Sequence, residues 1–336
     1  MAAVAAGVFV RVLLASFAEV TRCLLLHLCR MPRGLSWSIE LSAVGLLKAG
    51  SKTAPLLGRL PAGTRVYLPA LPADPPSAIE DSLRLLQRSN PALVPVPHIA
   101  ASRETSVDAV EGRIGAWQKA WPNNVHEVLV VRGDPGGAHG GGGAAAPADA
   151  AGGAFASTLE FLETGVLQRC GVDTVGLCGH PEGVGGGSAD DSLAALAAKL
   201  EWAEAAAVRA RVVTQFCFYA EKTTGYVDAL RDRGVDVDVS VGVVGPDVPQ
   251  GTRERMAGVC GVSPPPRGSY ATPYMRRLAR WQEARGPQRG MQALHLYPFA
   301  SLEGTLAKMH AFETDGSRRA DGSLYEKLHL DPTPHV

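Results

Sequence analysis

What is scarce in this chain narrows its function first. Lys and Arg number 33 and so do Asp and Glu, so there is no surplus of either sign across the 336 residues. No net field recruits nucleic acid or an anionic membrane. Aromatic residues are only 6% of the chain and hydrophobic residues 46%, the profile of an ordinary soluble globular enzyme. There are six cysteines, Cys23, Cys29, Cys170, Cys178, Cys217 and Cys260, and none forms a CxxC pair. Cys178 and Cys217 sit inside apolar runs, which reads as buried reduced thiols rather than disulfides or a zinc site. There is no HExxH, no Cys/His metal spacing and no P-loop. No metal is expected. No uncharged run approaches the ~20 apolar residues that a membrane span needs.

The first 33 residues differ from the rest. They hold Arg11, Arg22, Arg30 and Arg33 against one acid, Glu19, in a mainly apolar background. Arg11 follows the first apolar run, whereas a secretory signal carries its charge before it. An arginine-containing, acid-poor leader resembles an organelle transit peptide, which allows import into the mitochondrion. The alternatives are a start placed too early or a plain helical extension, leaving the chain in the cytoplasm.

Beyond Pro32, short apolar runs alternate with helical patterns. The runs are Trp37–Leu41, Arg65–Leu71, Leu93–Ile99, Val128–Gly133, Thr174–Gly179, Val212–Phe218, Val237–Val244 and Ala293–Phe299. Short unbroken apolar runs read as strands buried on both faces. Between them, helical spacing is read at Ser77–Arg88, Thr105–Trp117, Ser188–Ala210, Tyr226–Arg233 and Thr272–Arg285. Eight such strands with helical crossovers predict an α/β fold, a (β/α)8 TIM barrel over 34–336 behind the non-barrel leader 1–33. A doubly wound sheet is the runner-up, but no GxGxxG follows the first strand. The Gly/Ala-rich stretch from Gly136 to Gly153 reads as a permissive insertion or a lid, and Val262–Gly268 as a stiff connector.

In a barrel the carboxyl ends of the strands line the ligand site. Here they offer Glu40, His98, Arg132 with Asp134, His180 with Glu182, Thr214 with Gln215, and His295 with Tyr297. Each alone can be a chain leaving the core. Polar groups converging from six strands need partners or a ligand. Glu40 lies among Trp37, Ile39 and Leu41, and burial there raises a carboxyl pKa, which makes it a candidate general acid. Gln215 suits the amide-like edge of a flat heterocycle. Asp134 could face a ring amine or cap the following loop, and one of Phe216, Phe218 and Tyr219 is expected to stack on a ligand.

These strand ends resemble the methylenetetrahydrofolate reductase family. Ser36-Trp37-Ser38-Ile39-Glu40 is similar to its first-strand Ser-Phe-Glu, Pro97-His98 to its Pro-His, and Leu129 to Asp134 with Pro135 to its Leu-Arg-Gly-Asp-Pro. Gly179-His180-Pro181-Glu182 resembles Tyr-Pro-Glu, and Thr214-Gln215-Phe216-Cys217-Phe218 resembles Thr-Gln-Phe-Phe-Phe. Val241 to Pro246 and His295-Leu296-Tyr297 follow in the family's order, so the likeness runs from about residue 36 to residue 312. It implies FAD at the strand ends, NADH or NADPH as electron donor, and reduction of 5,10-methylenetetrahydrofolate in one-carbon metabolism. Glu40 would be the acid, Asp134 would tune charge beside flavin and pterin, and Gln215 and Phe218 would hold the folate. His98, Arg132, Gly133, His180, Glu182 and Lys199 would contact the cofactor.

Departures fall on the cofactor side. The second strand reads Tyr67-Leu68-Pro69-Ala70-Leu71-Pro72, without the family's threonine and glycines. His180 replaces the tyrosine of Tyr-Pro-Glu, and no phenylalanine stands near Asp247-Val248-Pro249. Two other functions therefore stand beside reduction: a folate-binding paralogue without redox activity, and a folate-dependent methyltransferase or demethylase. The partner expected is a small-molecule folate, with no nucleic acid, and a homo-oligomer is allowed for.

Overall fold

The computed structural model describes residues 36–122, 125–133, 153–184, 187–268, 270–299 and 301–307. The leader, Asp134 and the stretch from Gly136 to residue 152 lie outside the described residues. Ser36–Thr305 form one compact unit. Of a second unit, Met1–Leu35 with Leu306–Val336, only residues 306 and 307 are described.

Eight parallel strands close into a barrel in sequence order. They are β1 (Ser36–Glu40), β2 (Arg65–Leu68), β3 (Val94–Ala100), β4 (Glu127–Val131), β5 (Thr174–Gly179), β6 (Arg209–Thr214), β7 (Asp238–Val244) and β8 (Ala293–Tyr297). β8 pairs with β1 through Ser38↔His295, which closes the ring. Helices fill the crossovers: α1 (Ala43–Ala49), α2 (Ala54–Gly58), α3 (Ala78–Ser89), α4 (Val107–Ala120), α5 (Thr158–Glu163) and α6 (Val166–Arg169). They continue as α7 (Ala189–Ala205), α8 (Ala220–Asp232), α9 (Gln250–Cys260) and α10 (Ala271–Arg289). This is a TIM barrel. No helix among the described residues is long and apolar enough to cross a membrane.

The local chemistry explains the ends. Ser188 caps α7 with a reciprocal box to Asp191, and Ser106 caps α4 by accepting from Ala109 N. α3 buries Ile79, Leu83 and Leu86 and carries Glu80 and Asp81 in its first turn, where the helix dipole favours acids. In α10 the regular helix breaks at Gly286, with φ at 74°.

The prolines of β3 have a structural consequence. Val94 N donates to Thr64 O, so alternate β3 amides face β2 and the others face β4. Pro95 and Pro97 fall on the β4 side and have no N–H to give. Pairing with β4 runs over His98↔Leu129, Ile99↔Val130 and Ala100↔Val131, above both prolines.

Alternation places Tyr67, Val96, Leu129 and Val213 in the packed middle of the barrel. Glu40, His98, Cys178, Gln215, His295 and Tyr297 stand above them, on the inward face at the carboxyl end. Arg65, Glu127, Arg211 and Asp238 stand below, at the amino end. β6 was expected at Val212–Phe218 but spans Arg209–Thr214. Arg209 and Arg211 hid its start, because the amino end of an inward face can be charged.

Candidate active site at the carboxyl end of the barrel

Glu40 ends β1 with its carboxylate between two imidazoles from opposite sides. His98 Nε2 on β3 and His295 Nε2 on β8 each lie 3.8 Å from Glu40 Oε2. Both Nε2 atoms are buried and have no hydrogen-bond partner among the described residues. Buried polar atoms are normally paired, so two orphans flanking one carboxylate mark a place built for an occupant or a proton. Ser38 Oγ, two residues back on the same face, lies 2.8 Å from His295 Nδ1. When Ser38 donates to Nδ1, the ring proton sits on Nε2 and faces Glu40.

The raised carboxyl pKa expected from the apolar neighbours of Glu40 is corrected here. Burial does push it up, but His295 and His98 outweigh burial and hold Glu40 below the usual carboxylate value. The sequence neighbours Ile39 and Leu41 face away from the barrel interior, so the local context misled. His98 itself is pushed down to about 4 by burial, against the pull of Glu40. The Glu40 side chain keeps 22% of its surface exposed, so a ligand over the mouth would complete its desolvation.

Other groups at this end are of two kinds. Cys178, inward on β5, has its thiol pushed up to about 11 by burial. Lys199 on α7 lies near it with its pKa lowered by desolvation, and pairs with no carboxylate among the described residues. His180 is pushed down to about 4 by burial and by Lys199. These groups have capacity to spare.

Glu182 does not. It accepts from Lys222 Nζ at 2.8 Å, from Ser263 N at 2.9 Å and from Ser263 Oγ, and Cys217 Sγ lies 3.1 Å away. It clamps the loop after β5 to the connector at 262–268. Gly183 follows with φ at 83°, and a Cβ there would stand 2.1 Å from Gly187 O. Phe218 is buried edge-on against Phe216 and Tyr270, at ring separations of 5.6 and 5.2 Å, so its ring is spent on packing. Gln215 donates from its amide to Cys260 O at 3.2 Å. Tyr297 donates to Thr214 O at 3.2 Å.

Arg132 is exposed, and its carbonyl accepts from Ser102 N. Gly133 has φ at 83°, and a Cβ would stand 2.9 Å from Ala100 Cβ. Both backbone conformation and space demand glycine there. Asp134 lies outside the described residues. Ser38, Cys178 and Cys260 were not singled out from the sequence as site residues. The period-two alternation of β1 could have found Ser38, two residues before Glu40.

A cavity of about 430 Å³ opens at the other, amino-terminal end, lined by Arg65, His126, Glu127, Arg209, Arg211 and Asp238 among others. It sits where β3 and β4 are left unpaired below the prolines. Its charged groups pair with one another: Arg65 with Glu127 at 2.8 Å, Arg211 with Asp238 at 3.1 Å and with Glu127 at 3.4 Å. The lining is charge-balanced and cross-linked by these ion pairs, although Arg211 Nε has no hydrogen-bond partner among the described residues.

No family model matches the sequence. Among solved structures, the chain is similar to a dihydropteroate synthase (FolP) from Thermus thermophilus. That likeness has 13% identity and a TM-score of 0.42, and covers 83% of this chain and 94% of that one. It is also similar to 2,3-dimethylmalate lyase, a member of the PEP mutase/isocitrate lyase superfamily. There the identity is 10% and the TM-score 0.44, over 88% of this chain and 84% of that one. Neither likeness adds to the assignment of the fold, which rests on the closed eight-stranded sheet.

Proposed function

We propose that this barrel is an enzyme that reduces 5,10-methylenetetrahydrofolate to 5-methyltetrahydrofolate, with NADH or NADPH as donor and FAD as bound carrier. The observation that carries the reading is Glu40 between two unpartnered imidazole nitrogens, at the end of the barrel where such folds do their chemistry. The strand-end motifs supply the substrate class.

The side chains have definite tasks. Ser38 orients His295, and the Nε2 atoms of His295 and His98 flank the Glu40 carboxylate. A folate seated over the mouth removes the remaining water from Glu40, which favours its protonated form and readies it to open the imidazolidine ring. Gln215, with a single donor used on Cys260, grips the polar edge of the pterin. For Asp134, outside the described residues, the resemblance alone supplies the role of tuning charge beside flavin and pterin.

The residues fit a flavin in part. Lys199, with no carboxylate partner among the described residues, fits a phosphate, and Arg132, Gly133 and His180 stand on the adjoining strand ends. FAD, when bound, supplies the hydride transfer that the side chains cannot. Purified full-length protein is expected to be yellow, or to take up added FAD. It is then expected to oxidise NADH or NADPH with menadione and to yield 5-methyltetrahydrofolate. Colourless protein that binds no FAD and forms no product overturns the reading.

A second reading has its own observation. Pro69 and Pro72 after β2 have no N–H to offer a phosphate, and Glu182 is fully engaged within the protein. Both suit a folate-binding paralogue without redox activity. Calorimetry showing folate binding with no flavin uptake would favour it.

A further inference from the structure

Tyr67 spans the inside of the barrel. It is fully buried on β2, packed with Val96, Leu129 and Val213. Below, its hydroxyl lies 3.5 Å from Glu127 Oε1, a carboxylate fixed by Arg65 and Arg211. Above, its ring meets His295 edge-on, with centroids 4.6 Å apart at 76°, and His98 with centroids 6.0 Å apart at 78°. Tyr297 closes the other side of His295 at 4.7 Å and 85°. Two phenol rings therefore bracket the imidazole whose Nε2 faces Glu40.

We propose that Tyr67 is a positioning residue: with its hydroxyl over the ion-paired Glu127, its ring holds His98 and His295 against Glu40 and keeps water from His98.

The charged and titratable groups around the cluster leave a clear cause. Glu40 faces it from β1, Cys178 from β5 and Tyr297 from β8. Burial raises the Cys178 thiol to about 11 and the Tyr67 and Tyr297 phenols well above their ordinary value, so all three are neutral near pH 7. Arg65, Arg211 and Asp238 lie beyond Tyr67 around Glu127, with their charges paired. Tyr67 thus acts by excluding water and fixing ring geometry, and not by its own charge. His98 is depressed mainly by burial, so loosening this wall must raise it.

Histidine-labelled full-length protein, titrated by NMR, reads both imidazoles directly. Tyr67→Leu is expected to raise the His98 midpoint by about one pH unit, the size of shift that partial relief of burial gives. Tyr67→Phe keeps the ring and cuts its tie to Glu127. It is expected to move the midpoint in the same direction by roughly a third of a unit and to broaden the His295 ring signals. Tyr67→Phe decides the matter if the leucine variant does not fold. Unchanged midpoints and line widths in Tyr67→Phe overturn the proposal, as does an unchanged midpoint in folded Tyr67→Leu.

A kinetic arm rests on the proposed reductase reading: the acid limb of turnover against pH should move with His98. Shifted NMR midpoints without any turnover reject the reductase and leave the role of Tyr67 standing. Turnover with unshifted midpoints does the reverse.

Discussion

The two ends of the barrel each hold an inward-facing carboxylate between two basic groups, and they differ in everything that follows. At the amino end Glu127 meets arginines, at 2.8 and 3.4 Å, and keeps 5% of its side chain exposed. At the carboxyl end Glu40 meets imidazoles, both at 3.8 Å, and keeps 22% of its side chain exposed. Guanidinium groups stay charged at any working pH and fit a carboxylate closely. Imidazoles are not fixed in charge as guanidinium groups are; here burial pushes His98 down to about 4, and both rings leave an Nε2 without a hydrogen-bond partner among the described residues. One arrangement spends its electrostatics on structure, and the other keeps them available. The cavity lies at the ion-paired end, so the opening and the two unpartnered imidazoles do not coincide.

The largest expected effect comes from breaking the ion-paired end. Glu127→Ala leaves Arg65 and Arg211 facing each other around a buried hole and should cost about 3–5 kcal/mol in urea unfolding, the usual loss for one partner of a buried ion pair. A loss under about 1 kcal/mol would mean that the pair does not hold the amino end together. Breaking the reactive end should act on turnover instead. His295→Gln, in folded protein, is expected to lower kcat about 100-fold, within the range for one proton-transfer partner. Equal turnover in the variant would separate His295 from the chemistry.

Smaller effects sharpen the contrast. Gly133→Ala places a methyl group 2.9 Å from Ala100 Cβ on a backbone with φ at 83°. A destabilisation of about 1–3 kcal/mol is expected, read as a lower Tm.

The pH response has a definite sign. His98 and His180 have folded values of about 4 against an ordinary 6.5, so the unfolded chain binds more protons between those limits. Stability should therefore fall as pH drops from 6.5 to 4. The lowered Glu40 and Glu182 add a further loss as pH falls below 4.5 through their folded values. His98→Gln should reduce the slope in the first window, where His180 still contributes, and weaken the second, because His98 helps to hold Glu40 low. An unchanged slope between pH 6.5 and 4 in that variant would contradict the burial account.

Much of the fold was legible because parallel strands buried on both faces are continuous apolar runs, and all eight were read from them. Thr174–Gly179 agrees to the residue. β6 was displaced because its amino half faces an ionic lining. α7 was read through Ala210 because its alanine-rich composition continues past the turn at Ala206 and Ala207, after which Arg209 already belongs to β6. α1, α2, α5 and α6 were not read, being seven residues or fewer, too short for a periodic signal. α9 was not read either, although it has eleven residues, because it buries only Arg253 and Ala257 and so carries no apolar stripe. In the site, the positions of Glu40, His98 and His295 at strand ends were readable. The direction of the Glu40 pKa was not, because its deciding neighbours come from strands three and eight and not from the adjacent sequence. Glu182 read as free because its clamp, Lys222 with Ser263, is assembled from 40 and 81 residues away.

The most direct test of the account is formation of 5-methyltetrahydrofolate by full-length, FAD-supplemented protein and by its Glu40→Gln variant, assayed side by side with NADH and with NADPH. Product from the wild type, and a loss of about 100-fold or more in a variant that still binds folate, is the expected result. Equal product from both, or none from a wild type that binds neither flavin nor folate, would contradict it.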